Sequence, residues 1–227
     1  MSMIEALKDP PRPNPSGMPR QEYLRASPPM FESRIVDRLT RVPVWVVPAI
    51  YVPAILLALA LALQGLAVWQ VALTIVAGYG VWTLTEYWLH RIVFHFEPEE
   101  GFGRRLHWII HGVHHDHPND PLRLVMPPSA SIPLALLFVG LFQLLLPTDV
   151  AWALTAGFLG GYLGYDMTHY YVHHRRPKGP LGRRLRELHM RHHFQDSTTG
   201  YGVSAPYWDN VFGTASKGRK PAERDDD

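Results

Sequence analysis

The chain has 227 residues, with 22 lysines and arginines against 20 aspartates and glutamates, 13 histidines and no cysteine. Without cysteine there is no disulfide framework, no thiolate-bound zinc or iron–sulfur cluster and no cysteine nucleophile, so any metal must sit on nitrogen or oxygen. A formal net charge of +2 gives no strongly basic field, and no nucleic-acid partner is expected.

Residues 8–20 hold five prolines, which excludes a continuous helix there, and residues 1–29 are expected to form a disordered arm. From Met30 to Arg41, Phe31, Ile35, Val36 and Leu39 recur at helical spacing among charged residues. This segment reads as a short interfacial helix or as a solvated connector. Residues 42–85 then contain no Asp, Glu, Lys, Arg or His. As helix these 44 residues would extend about 66 Å, enough for two crossings of a hydrocarbon core about 30 Å thick. Spans are expected near 43–63 and 67–89, around Gln64-Gly65. Two further uncharged runs, 124–148 and 150–165, meet at a Pro147-Thr148-Asp149 turn and predict a second hairpin. Its spans, about 17 residues each, fall at the short end of what crosses a bilayer, leaving re-entrant or buried soluble helices as alternatives.

Lys and Arg number seven before the first span, four between the hairpins and eleven after the last, with none in either hairpin turn. The positive-inside rule therefore puts both termini and the middle loop in the cytoplasm. The fold class expected is an all-α integral membrane protein, four transmembrane helices in two hairpins with a cytoplasmic helical histidine-rich cap. Residues 30–215 form the membrane domain, and 216–227 a disordered charged tail.

Every histidine lies between residues 90 and 193, in four groups. His111, His114 and His115 stand at i, i+3 and i+4, so the rings share one helix face, and His189, His192 and His193 repeat the spacing. His169 and His173 are an i, i+4 pair of the kind that chelates one ion. His90 and His95 are five apart, about 140° on an ideal helix, and are expected to straddle a helix end or kink. Ten imidazoles exceed what one ion uses, since zinc takes about four ligands and an octahedral metal about six, so two metals are expected. Among the carboxylates, Glu86 stands one turn before His90 and Asp166 one turn before His169, each placed to accept an Nδ1–H or to be a charge at the membrane interface. Asp116 and Asp120 are candidates for the same role or for capping a helix end.

The run of HxxxxH at 90, HxxHH at 111, HxxxHH at 169 and HxxHH at 189, with hairpins before and between, resembles the membrane fatty acid hydroxylase and sterol desaturase superfamily. HGVHHDHPNDPLRLVMPP (111–128), GYDMTHYYVHH (164–174) and GYGVSAPYWDNVFGT (200–214) look like the fatty acid 2-hydroxylases that act on sphingolipid acyl chains. The resemblance implies metal ligands His90, His95, His111, His114, His115, His169, His173, His189, His192 and His193, with His107, His117 and His174 left to support or structure. It further implies two iron ions, with zinc able to replace them in purified protein, O2 as oxidant, and 2-hydroxylation of a lipid acyl chain with Tyr165 and Asp166 near the reacting carbon. Electrons would come from a separate donor of cytochrome b5 or ferredoxin type, because only about 40 mostly polar residues precede the first span. With 18 arginines against 4 lysines, a bacterial inner membrane is expected ahead of the endoplasmic reticulum. The aromatic residues Tyr201, Tyr207, Trp208 and Phe212 are expected either to close the cap over the substrate or to be ordinary interfacial side chains.

Within the superfamily the rival readings are carotenoid hydroxylase, sterol desaturase and alkylglycerol monooxygenase. Outside it stand a metal transporter or sensor, whose ion site should bring charges to the bilayer midplane, and a non-catalytic metal-stabilised scaffold.

Overall fold

The computed structural model describes residues 17–96, 98 and 100–217, and among them every regular element is helical. Most of the Pro-rich stretch read as an arm lies outside the described residues. In its described part, α1 (Arg20–Tyr23) precedes a chain that lies against the body: the Tyr23 carbonyl accepts from His117 Nδ1 at 2.6 Å and the Leu24 carbonyl from Asn119 N at 2.9 Å. The amphipathic segment forms α2 (Arg34–Leu39), capped where Ser33 Oγ accepts from Val36 N at 3.5 Å.

Four long helices follow. They are α3 (Val46–Ala62), α4 (Val68–Trp88, prolonged by a π-helical turn Leu89–Phe94), α7 (Pro128–Leu145) and α8 (Thr148–His174). Between the pairs lies one helical run made of α5 (Gly101–His107), a π-helical stretch Trp108–Gly112 and α6 (Val113–Asp116). After α8 come α9 (Pro180–Phe194) and the short α10 (Tyr207–Val211). By length and composition, the helix Val68–Phe94 and α7 are able to cross a membrane, and α3 is apolar but only 17 residues long.

Two consecutive helices, α7 and α8, stand where the second hairpin is expected. The helix α8 is 27 residues long in all, about ten more than the uncharged run alone suggests, and it carries His169, His173 and His174 on its last turns, where the i, i+4 pair was expected to close the fourth span. It is also the central helix of the bundle, packed against α3, α4 and α7. Small residues let it approach α4 closely: a Cβ on Gly78 would run into the backbone of Leu154 and Phe158, and one on Gly157 into the backbone of Ile75. The apolar helices therefore pack through backbone proximity, as bundles do in lipid. Alongside this seam, Tyr51, Trp82, Phe158 and Tyr162 meet edge to face, with centroids 4.6–5.2 Å apart. Outward, the bundle is apolar: Leu136, Leu137 and Leu144 of α7 are 63, 66 and 81% exposed.

Candidate metal centre

His90 and His95 belong together because the helix changes pitch between them. His95 N donates to the His90 carbonyl at 3.1 Å, an i→i+5 bond, so the wider π turn brings two side chains that an ideal helix would splay. Their Nε2 atoms stand 3.2 Å apart. The structure thus answers the kink expected from the five-residue spacing.

The ten histidines of the four motifs converge into two groups of five, with ligand atoms within 4.8 Å of one another in each. The first group joins His90, His95, His111, His115 and His192; the second joins His114, His169, His173, His189 and His193. Each i, i+4 pair stays together, whereas the middle histidine of each HxxHH triplet crosses over. His114 leaves its own triplet for the second group, and His192 leaves its own for the first. A shared helix face alone did not foretell this exchange.

Nε2 atoms face inward in both groups. In the first, His95 to His192 is 3.0 Å and His115 to His111 is 3.0 Å. In the second, His169 to His114 is 3.0 Å, His173 to His189 is 2.8 Å and His193 to His189 is 3.1 Å. An ion about 2.1 Å from each nitrogen leaves ligand atoms that meet near right angles about 3 Å apart. Burial, reinforced by neighbouring rings, pushes the imidazoles of His111, His114, His115, His189 and His193 well below their ordinary pKa, and that of His192 down to about 3. The rings are therefore neutral and offer lone pairs. Ten lone-pair donors pointed at one another, seven of them on buried histidines, are poor partners for themselves and good partners for cations, so the donor set fits one divalent ion in each group.

The two groups differ on their outer side. In the first, His90 Nδ1 bonds the Tyr201 carbonyl at 2.6 Å and His192 Nδ1 the Thr199 carbonyl at 2.7 Å, which fixes Nδ1–H tautomers and frees Nε2 for metal. In the second, Nδ1 of His173, His189 and His193 is buried without a hydrogen-bond partner. Sequence reasoning missed Tyr201 and Thr199 in this role, since a backbone carbonyl leaves no residue signature.

The carboxylates proposed as imidazole partners have other contacts. Glu86 accepts from the N–H of Ser204 at 2.8 Å and from its hydroxyl. Asp166 accepts from Tyr162 OH at 3.1 Å and Met126 N at 3.4 Å. Asp116 accepts from Trp108 Nε1 at 2.9 Å, and Asp120 from Leu122 N at 2.9 Å. Of the leftover histidines, His117 rests on Tyr23 with centroids 4.7 Å apart, and His174 lies on Tyr170 at 4.3 Å.

An apolar cavity of about 360 Å³ opens onto the histidines. Leu124, Val125, Met126 and Pro127 of the RLVMPP segment form one wall, and Tyr165, Asp166, His111, His114 and His169 line it as well. The aromatic residues expected over the substrate do not line this cavity. Tyr207 OH and Trp208 Nε1 reach Thr83 Oγ1 at 3.0 and 3.2 Å, and Phe212 stacks on Tyr87 at 4.9 Å, so they seat the C-terminal segment on α4.

Comparison with known proteins decides the family: the fatty acid hydroxylase family matches residues 75–214, which include all ten clustered histidines. The chain belongs to that family. It is 42% identical over 188 residues to a dihydroceramide fatty acyl 2-hydroxylase of Arabidopsis thaliana, covering 82% of this chain and 79% of the relative. It is 38% identical over 197 residues to a ceramide very long chain fatty acid hydroxylase of Saccharomyces cerevisiae, covering 86% of this chain and 51% of the relative. A solved structure of full-length scs7p, in which only the hydroxylase domain is visible, superposes with a TM-score of 0.78 at 37% identity, over 83% of this chain and 72% of that one. This fatty acid hydroxylase thus combines the family's fold with two five-histidine groups beside an apolar cavity.

Proposed function

We propose that this membrane hydroxylase inserts oxygen at carbon 2 of a fatty acyl chain, giving a 2-hydroxy fatty acid or a 2-hydroxyacyl sphingolipid. The observation that carries the reading is the apolar cavity whose inner wall is formed by His111, His114 and His169 of the two histidine groups. Within it, His90, His95, His111, His115 and His192 would hold one iron, and His114, His169, His173, His189 and His193 the other. Zinc would occupy the same nitrogens in purified protein. The irons would supply O2 activation, with electrons from a cytochrome b5 or ferredoxin type donor.

The chain's own residues supply position and dryness. The Leu124–Pro127 wall holds the acyl methylenes and excludes water, so that orientation contributes more than acid–base chemistry. Tyr165 stacks on His169 with centroids 5.7 Å apart. Asp166, held by Tyr162 and Met126, joins Tyr165 as the pair assigned to the neighbourhood of the reacting carbon.

For the membrane arrangement we adopt α3, α4, α7 and α8 as four spans in two hairpins, a domain over 30–215, a cytoplasmic histidine cap and both termini cytoplasmic. The support is the one-sided distribution of Lys and Arg. Placement in a bacterial inner membrane rests on the excess of Arg over Lys.

The test is expression of wild type and His114→Ala in a host without 2-hydroxy lipids, with an electron donor supplied and hydrolysed acyl chains read by mass spectrometry. A 2-hydroxy acid is expected from wild type alone. Its absence from iron-loaded wild type with electrons and ceramide supplied would refute the assignment.

A further inference from the structure

The corner between α8 and α9 concentrates positive charge. Residues 175–186 (RRPKGPLGRRLR) hold six cations and no acidic residue. The chain leaves α8 at Arg175 in an extended conformation and starts α9 at Pro180, and the first carboxylate to follow is Glu187. Glu187 pairs with Arg184 at 3.2 Å and with Arg191 at 2.5 Å. Arg186 turns inward and donates to the carbonyls of Val172 and His173. Arg175, Arg176, Lys178 and Arg183 are exposed and have no ion pair among the described residues. Four like charges this close repel one another, so an anionic partner would relieve the corner.

Arg176 and Arg183 line an open groove of about 300 Å³, which Arg186 and Met190 line as well. Met190 follows the ligand-type His189 in the chain, and Arg186 holds the backbone of His173, so the groove backs onto the second histidine group.

The setting of the corner is aqueous. Taken as a span, α8 with its 27 residues is about 40 Å long against a hydrocarbon core of about 30 Å. The corner lies past the end that carries His169 and His173. Among residues 175–190, Leu181 is the one large apolar side chain that is exposed. The molecule's other basic groove differs. There Arg34, Arg38 and Arg105 share α2 and α5 with exposed Ile35, Leu39 and Phe102, a mixture suited to a bilayer surface.

We propose that the α8–α9 corner is the docking surface for an acidic one-electron carrier protein. The need for such a carrier rests on the acyl hydroxylase reading. Placing one atom of O2 in a C–H bond and releasing the other as water takes two electrons and two protons; the carrier delivers the electrons in two successive dockings and water supplies the protons. Carboxylates on the carrier answer Arg175, Arg176, Lys178 and Arg183, and the groove behind them keeps the path from carrier to histidines short. Charge complementarity of this kind speeds encounter and fixes orientation more than it adds affinity. Salt-sensitive docking of modest strength suits a partner that leaves after each electron.

The test is equilibrium binding of the oxidised soluble haem domain of a cytochrome b5, an acidic one-electron carrier, to the full chain in phosphatidylcholine nanodiscs. Binding to wild type should weaken about tenfold as salt rises from roughly 0.05 to 0.5 M. Combined Arg175→Gln, Arg176→Gln and Arg183→Gln should weaken it about tenfold or more at low salt, with metal content unchanged. Carbodiimide should couple a carrier carboxylate to Lys178. Combined Arg34→Gln, Arg38→Gln and Arg105→Gln should leave binding within about twofold of wild type. Undiminished binding by the corner variant, coupling confined to other lysines, or loss of binding in the α2–α5 variant alone would overturn the proposal. Protection of residues 175–186 from hydrogen exchange by phosphatidylglycerol nanodiscs, with no carrier present, would put the corner on the bilayer and overturn it as well. Because binding is read without turnover, corner-dependent docking in a protein that forms no 2-hydroxy acid would support the docking surface and count against the hydroxylase reading alone.

Discussion

Nδ1 of His90 lies 2.6 Å from the carbonyl oxygen of Tyr201, a residue 111 positions further along the chain. Tyr201 is itself held by Asp209, which accepts from the N–H groups of Tyr201 at 2.8 Å and Gly202 at 2.9 Å and from Thr214 Oγ1 at 2.8 Å. Asp209 is therefore a positioning residue for the first histidine group. Asp209→Asn cannot accept both backbone N–H groups with two equivalent oxygens, and the change should cost roughly 1–3 kcal/mol of stability. It should also lower metal content from two ions per chain toward one, because the Tyr201 carbonyl holds a histidine of the first group, while Nδ1 of His173, His189 and His193 in the second has no partner among the described residues. Elemental analysis of the purified variant beside a thermal melt checks this; two ions retained would remove Asp209 from the role.

Single ligand deletions should separate insertion from chemistry. His114→Ala and His173→Ala each remove a ligand from the second group. Both should abolish 2-hydroxylation while the protein still fractionates with membranes. Turnover in both variants would sink the ligand assignment.

The close approach of α4 and α8 has its own test. Gly78→Ala and Gly157→Ala each drive a methyl group into the facing backbone, and the resulting overpacking should cost roughly 1–3 kcal/mol. Both should lower the melting temperature in detergent. Gly160→Ala, on the same helix with open space at its Cβ, should not.

Asp37 gives a pH prediction with a definite sign. Burial works to raise its pKa, but the Met30 N–H bond and the nearby Arg41 and Arg123 outweigh it and hold the carboxyl below its ordinary value. Between that lowered value and about 3.9 the unfolded chain binds more protons than the folded one, so this contribution is full at neutral pH and is lost as pH falls through the window. Asp37→Asn removes it at all pH values. It also strands Arg123, whose side chain is 3% exposed, at a cost of roughly 1–3 kcal/mol, less than at a fully enclosed pair because Asp37 keeps 13% exposure. Urea melts of both proteins at pH 7 and pH 3.5 should differ at the former and converge toward the latter.

How far the sequence reached depends on which force decides each feature. The long apolar helices were legible because a stretch as long as 42–85 without a charge suits few settings besides lipid, and the ten clustered histidines because their spacings repeat. Helical extent was less legible: α8 outruns its apolar stretch because Asp166, His169 and His173 are buried inside the bundle rather than exposed at its end. The pairing of His90 with His95 depended on a π turn, and a periodicity of about 3.6 residues cannot show one. Glu86 has the right spacing for His90, yet the loop at Ser204 takes its oxygens, a competition decided by tertiary contacts. Composition left Tyr207, Trp208 and Phe212 either as a cover over the substrate or as ordinary interfacial side chains, and their contacts with Thr83 and Tyr87 pack them on α4.

The crossing of His114 and His192 between the groups has a covalent consequence. His114 and His115 are chain neighbours serving different groups, as are His192 and His193. Two peptide units therefore span the gap between the sites, and consecutive Cα atoms are held about 3.8 Å apart by bonds rather than by contacts. The spacing between the two histidine groups is consequently tied to a fixed length of backbone at two places, so ions held in both would keep their separation more readily than if the groups were joined only by side-chain packing.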